Sequence, residues 1–165
     1  MDARTRASVV ASLRSAAAAV LAREEPADIT YRGRFSGGWN PVYKLLVYEG
    51  GKKVGGILLI EGLSPWSRQN IPCPDDVRAL IDHGADEKAN IWMVDGAFLD
   101  ENLHNQGIGK EMYRRAFAAI VKKKGPCFFV PTYCELGSGT SKAARRVWKS
   151  LSREFTSSGD VFYVK

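Results

Sequence analysis

The stretch "NLHNQGIGKEMYRRAFAAIV", Asn102 to Val121, constrains this chain more than any other. Upstream lies "ANIWMVDGAFLD", Ala89 to Asp100, apolar enough on both faces to be a strand set centrally in a sheet. The chain then turns polar, passes Gly107 and Gly109, and enters an apolar-periodic helix from about Gly107 to Lys123. A helix N-terminus exposes unpaired N–H groups and about half a positive charge, which makes it an anion site when a loop brings a ligand close. Glycine at 107 and 109 lets the backbone press against a phosphate or adopt φ > 0. A plain strand-to-helix turn is the alternative for an isolated G-x-G. Two nucleotide loops are excluded: the Walker spacing and its hydroxyl after Lys110 are missing, and the dinucleotide fingerprint fails at Met112.

The elements around this loop read as one α+β unit. "YKLLVYEGGKKVGGILLI", Tyr43 to Ile60, is a hairpin whose "EGGK" supplies positive-φ turn residues. Residues 62–89 form an irregular insert with Pro65, Pro72 and Pro74, followed by a short helix capped by Asp75 or Asp76 and ending at Gly84. The insert is expected to wall a substrate site. After the glycine-loop helix come a short strand, "GPCFFVP", a helix capped by Thr140 or Ser141, and "DVFYVK" as an edge strand. No repeat or low-complexity linker intervenes, and 165 residues make one domain the expectation, 1–165.

Composition narrows the partners. No apolar run reaches the ~18 to 20 residues of a membrane span. The first twenty-odd residues are rich in Arg, Ala and Ser, as a transit peptide would be, but Val9, Val10, Leu13, Ala17, Val20 and Leu21 also form one helical face. A structural helix and a cytoplasmic location are expected. Three cysteines without CxxC spacing and two histidines argue against a disulfide framework and a metal site. A net charge of +6 favours anionic partners, and Lys142, Arg145, Arg146, Lys149 and Arg153 gather on the last helix.

"HNQGIG", His104 to Gly109, resembles the signature of the GNAT superfamily of N-acetyltransferases: Gln or Arg, two residues, Gly, one residue, then Gly or Ala, after a strand and opening a helix. "CFFVP" is similar to the family strand that splays from its neighbour. "SKAARRVWKSL" resembles its Asn-x-x-Ala-x-x-Leu/Val-Tyr helix, with Ser141, Ala144 and Val147 in register. The likeness spans roughly Tyr43 to Phe155. It implies a three-layer fold with a mixed, mostly antiparallel sheet, splayed central strands and flanking helices. It also implies acetyl-CoA, with Phe98, Leu99 and Asp100 along the pantetheine arm. The amides of His104, Asn105, Gln106, Gly107, Ile108, Gly109 and Lys110 would then hold the pyrophosphate. Ser141 and Trp148 complete the cofactor-facing set.

The implied activity is acetyl transfer to a small-molecule or protein amine. Here the sequence departs from the family: His104 replaces Gln or Arg, and Trp148 stands where many members have the Tyr that protonates the leaving thiolate. An indole N–H has no accessible acidity, so Tyr133 or water is the expected acid. The base is expected at Asp95, which strand alternation sets on one face with Ala97 and Leu99, although "DG" also reads as a bulge. Glu61 and Glu135 are weaker candidates, and Cys134 is expected to be an inert thiol. A second hypothesis keeps the fold but contacts nucleic acid through the last helix, with Trp148 and Tyr133 as stacking surfaces. "DVFYVK", as an exposed edge, would allow a homodimer.

Overall fold

The computed structural model describes residues 28–62, 72–132 and 141–165. The N-terminal helix expected from the sequence lies outside these residues, as do Tyr133, Cys134, Glu135 and Thr140.

The β-hairpin forms as its turn residues require. Strands β2 (Val42–Glu49) and β3 (Lys52–Glu61) are joined by Gly50 at φ 55° and Gly51 at φ 83°. A two-residue turn with both centres at positive φ matches the right-handed twist of its strands, and glycine adopts it at no steric cost. A further strand precedes them. β1 (Ile29–Ser36) pairs antiparallel with β2, and its alternation sets Ile29, Tyr31 and Phe35 against the core while Thr30, Arg32 and Arg34 face out. The sequence reading had missed this strand.

Helix α1 (Pro74–Asp82) follows, then β4 (Asn90–Leu99), a single 3-10 turn (Glu101–Leu103), α2 (Ile108–Lys124), β5 (Cys127–Pro131), α3 (Lys142–Leu151), β6 (Thr156–Ser158) and β7 (Val161–Val164). The seven strands make one sheet in the order β1-β2-β3-β4-β5-β7-β6. All neighbours are antiparallel except β4 and β5, which α2 connects as a βαβ crossover. The fold is thus mixed α/β on a mostly antiparallel sheet, as expected.

Two expectations need correction. Asp75 and Asp76 do not cap α1; they lie in its first turn, where carboxylates complement the helix dipole, and Cys73 at φ 56° takes the cap position with Pro74 behind it. β7 is not an edge strand. It lies between β5 and β6, so both its backbone edges are paired and it offers no free edge to a second copy. The edge belongs to the three-residue β6, too short and polar to read from sequence. Cys73 is disulfide-bonded and Cys127 is a free buried thiol.

Strand alternation divides the core between the two faces of the sheet. Trp92, Val94, Phe129 and Phe162 point toward α2 and α3, whereas Ile91, Phe128, Val130, Val161 and Tyr163 point toward Val77 and Leu80 of α1. Phe117 of α2 is fully buried at the centre of the larger cluster, stacked on Phe129 with ring centroids 4.0 Å apart. Each such aromatic contributes about 1.5–3 kcal/mol by leaving water. Helix α2 is held by its C-cap, Gly125 at φ 83°, and by Lys122, Lys123 and Lys124 at the negative end of its dipole. The helix is therefore a rigid support for whatever its N-terminus presents.

Candidate functional site

Strands β4 and β5 separate part-way along. Their pairing stops at Val94 opposite Pro131, while β4 runs on to Leu99 paired with β3 alone. Beyond Val94, the backbone from Asp95 to Leu99 has no strand on its β5 side among the described residues. The Thr132 hydroxyl donates to the Val94 carbonyl and ends the ladder there. A row of peptide groups on that side is thus free to bond a ligand.

The loop after β4 is fixed by short internal bonds. Asp100 N–H donates to the Val54 carbonyl at 2.8 Å, Leu103 N–H to Asp100 at 3.0 Å and His104 N–H to Glu101 at 3.1 Å. His104 Nε2 lies 2.9 Å from the Leu99 carbonyl; since a carbonyl only accepts, Nε2 carries the proton. His104 thus closes the loop with its own side chain. Gln106 donates to the Asn102 carbonyl at 2.8 Å and is spent on the same closure. Asn105 at φ 63° and Gly107 at φ 81° turn the chain into α2. No side chain caps that helix, so the amides of its first turn remain open.

The free edge of β4, this loop and α3 enclose a cleft of about 490 Å³. Of the residues chosen from sequence, Phe98, Leu99, His104, Asn105, Gly107, Gly109, Lys110 and Ser141 line it. Ser141 also caps α3, accepting from Ala144 N–H at 3.1 Å. Gly109 has ordinary φ, and a Cβ there would meet Val147 Cγ2 at 3.4 Å and Leu99 Cδ2 at 3.8 Å. Only ordinary contact results, so the protein's own packing does not demand glycine at this position; the bare backbone widens the cleft.

Asp100, Gln106 and Ile108 belong to the loop without lining the cleft. Trp148 departs from its assignment altogether. It is 5% exposed, its indole N–H donates to the Asp160 carbonyl at 3.0 Å, and its ring packs on Phe162 and Tyr113. Its single polar group is committed to the core, so it neither faces the cleft nor offers a stacking surface to a nucleic acid.

Asp95 is exposed at a β-bulge, where the β3 register skips from Leu58–Gly96 to Leu59–Val94. The bulge breaks the alternation that had grouped it with Ala97 and Leu99, and the burial cost that singled it out does not arise. It stands where the two strands part, outside the residues lining the cleft. Glu61 is at the far end of β3, paired with Lys124 at 3.0 Å. The insert does not wall this cleft in its described part, residues 72–89: α1 packs under β6 and β7 instead.

Lys110 is ion-paired to Glu154, and Arg114 meets the same carboxylate at 3.1 Å. The hydrogen bond from Lys110 and the charges of Lys110 and Arg114 hold the Glu154 carboxyl below its ordinary range. Lys110 therefore brings a partly neutralised charge to the cleft. Arg146 of α3, exposed and lining the same cleft, has no ion pair among the described residues. Sequence reasoning placed Arg146 only in a basic stripe and overlooked Tyr113, which also lines the cleft. The signal was present: Tyr113 lies one helical turn after Gly109, on the same face of α2.

Together these features define a mixed α/β protein on a mostly antiparallel seven-stranded sheet, with a splayed strand pair leading to an open helix N-terminus. No family model matches the chain, and no curated protein matches it. Among solved structures the chain is similar to a ribosomal-protein-alanine N-acetyltransferase from Brucella melitensis biovar Abortus 2308, at 12% identity and a TM-score of 0.44. The match covers 67% of this chain and 60% of that one. No helix of the described residues is long and apolar enough to cross a membrane.

Proposed function

We propose that the chain is an acetyl-CoA dependent N-acetyltransferase that moves an acetyl group to an amine by direct attack, without an acyl-enzyme. One observation carries this reading: a free edge of peptide groups and an uncapped helix N-terminus open into the same cleft. A ligand matching both has amides along a narrow arm and an anion at its end, which describes pantetheine joined to a pyrophosphate. When bound, acetyl-CoA supplies an activated acetyl thioester.

In this reading the backbone from Asp95 to Leu99 bonds the arm. The first-turn amides of α2, with Asn105 and Gly107 shaping the loop, hold the pyrophosphate. Arg146 adds a cation from the facing helix. Asp95, at the point where β4 and β5 part, accepts the proton that the incoming amine must lose before it attacks. The Thr132 hydroxyl fixes the mouth of that opening by holding the Val94 carbonyl. The acceptor is a small-molecule or protein amine.

Calorimetric titration with acetyl-CoA tests the reading, and no heat at millimolar concentration refutes it. A second reading, nucleic-acid binding, rests on α3, whose outer positions Lys142, Arg145, Arg146 and Lys149 are all basic with no acid in the helix. Titration with short DNA and RNA at two salt concentrations separates the two, because phosphate contacts weaken steeply with salt.

A further inference from the structure

Helix α1 packs on β6 and β7 at one end of the sheet, which leaves the same side of β1, β2 and β3 without a covering helix among the described residues. Register fixes what that side presents. Directly paired residues point to one face, so Arg32, Leu46, Gly56 and Phe98 form a row there, and Arg34, Lys44, Leu58 and Gly96 the next. Lys53 pairs with Tyr48 in a third row. Two ring contacts agree: the Arg32 guanidinium lies 4.9 Å from the Tyr48 ring centroid, and Lys53 Nζ 5.4 Å from that of Phe98.

The face carries four cations, Arg32, Arg34, Lys44 and Lys53, all exposed. None is ion-paired among the described residues, whereas Lys110, Arg114, Arg115 and Lys124 of α2 each meet a carboxylate. The three rows hold no carboxylate; Asp95 is the extra residue of the bulge beside them. Arg34 and Lys44 are direct cross-strand partners, and like charges so placed repel. Guarding an edge strand against self-pairing requires charge on β1 alone, yet Lys44 and Lys53 stand on inner strands. The arrangement fits a polyanion laid across the face, and two copies of the face would repel each other.

Aromatic rings border these cations. Trp39, in the turn between β1 and β2, is fully exposed, and Phe98, half exposed, is the other large apolar side chain in that state among the described residues. Between them Gly56 keeps the floor low: a Cβ there would come within 3.0 Å of Leu46 Cδ2 and 3.3 Å of Phe98 Cε1. Cations that track a backbone and flat rings on which bases stack are the two requirements of single-strand binding. An acidic peptide calls only for the first.

We propose that this face binds single-stranded nucleic acid, with phosphates on Arg32, Arg34, Lys44 and Lys53 and bases stacked on Trp39 and Phe98. The face lies across the sheet from α3, and none of its four cations lines the cleft. Its failure would therefore leave the acetyltransferase reading standing.

Fluorescence anisotropy tests the proposal with labelled oligo(dT) and oligo(rU) of about 12 nucleotides, a duplex of the same length and a polyglutamate peptide. Four cations on a single strand predict a log–log salt slope of about −2.8, which is about a fiftyfold loss of affinity between about 50 and 200 mM salt. Arg32→Ser combined with Arg34→Ser should halve the slope to about −1.4. Trp39→Ala should weaken binding by about fivefold or more. These side chains are exposed, so the melting temperatures should stay at the wild-type value. Binding of either strand supports the proposal, and the tighter one names the sugar. Wild-type binding by both the arginine variant and Trp39→Ala would overturn it, and loss of binding in Lys142→Ser with Lys149→Ser instead would move the site to α3. No binding of either single strand, or tighter binding of the duplex or the acidic peptide, would overturn it equally.

Discussion

Gly109→Glu separates the binding site from the fold more cleanly than any other substitution in this chain. Cβ at 109 meets Val147 Cγ2 at 3.4 Å and Leu99 Cδ2 at 3.8 Å, which is ordinary contact. Replacing glycine within a helix gains roughly 0.5–1 kcal/mol of backbone entropy. A carboxylate in the first turn gains about another 0.3–1 kcal/mol against the dipole. The variant should therefore melt at the same temperature as the wild type or a few degrees higher. Its carboxylate, however, lies among the amides proposed to hold the pyrophosphate. Two unit charges about 5 Å apart at an effective dielectric near 20 repel by about 3 kcal/mol, which is more than a hundredfold in Kd. Circular dichroism melting and calorimetric titration with acetyl-CoA measure the two quantities on the same sample. Unchanged affinity in a folded variant would refute the placement of the anion at α2, and a destabilised variant would refute the packing argument.

Asp95→Asn should lower turnover while leaving acetyl-CoA affinity intact, with partial recovery at high pH where the amine deprotonates unaided; an unaltered pH–rate profile removes Asp95 as the base. Phe117→Ala, at the centre of the larger core, should cost about 3–5 kcal/mol in denaturant unfolding, because its stacked partner Phe129 is left facing a cavity. Burial raises Cys127 from 9.0 to about 12 and Tyr113 from 10.0 to about 12. The unfolded chain ionises these groups first, so stability is full below pH 9 and falls as the pH rises toward 12. Melting temperature against pH measures the fall, and Cys127→Ala should flatten its onset near pH 9.

What the sequence disclosed was whatever short-range chemistry determines. The "EGGK" turn, the Ser141 cap and the change from apolar strand to glycine loop to periodic helix each depend on neighbours within a few residues, and each was readable. Positions that depend on distant pairing were not. Whether "DVFYVK" lies at an edge or inside the sheet is decided by β6, a three-residue strand with no apolar signature. Asp95 illustrates the same limit at the site: period-two alternation assigned it a face, but one bulged residue opposite Leu58 and Leu59 cancels that inference. Tyr113 and Trp148 are both aromatic positions on helices, and although Tyr113 shares a face of α2 with Gly109, nothing in the sequence says that Trp148 turns away from the cleft. Their roles are set by the crossing of α2 and α3, where Trp148 finds the Asp160 carbonyl and Tyr113 does not.

The parting of β4 from β5 has a consequence for what can enter. An unpaired strand edge at the margin of a sheet invites any other strand and is a hazard for aggregation. Here the unpaired edge lies in the middle of the sheet order, between β3 and the diverging β5, with α2 joining the two strands. Neighbouring strands need about 4.7–4.9 Å between backbones and further room for side chains on both faces. The edge is thus set between two strands of its own sheet rather than at the margin, where a strand of another copy would add.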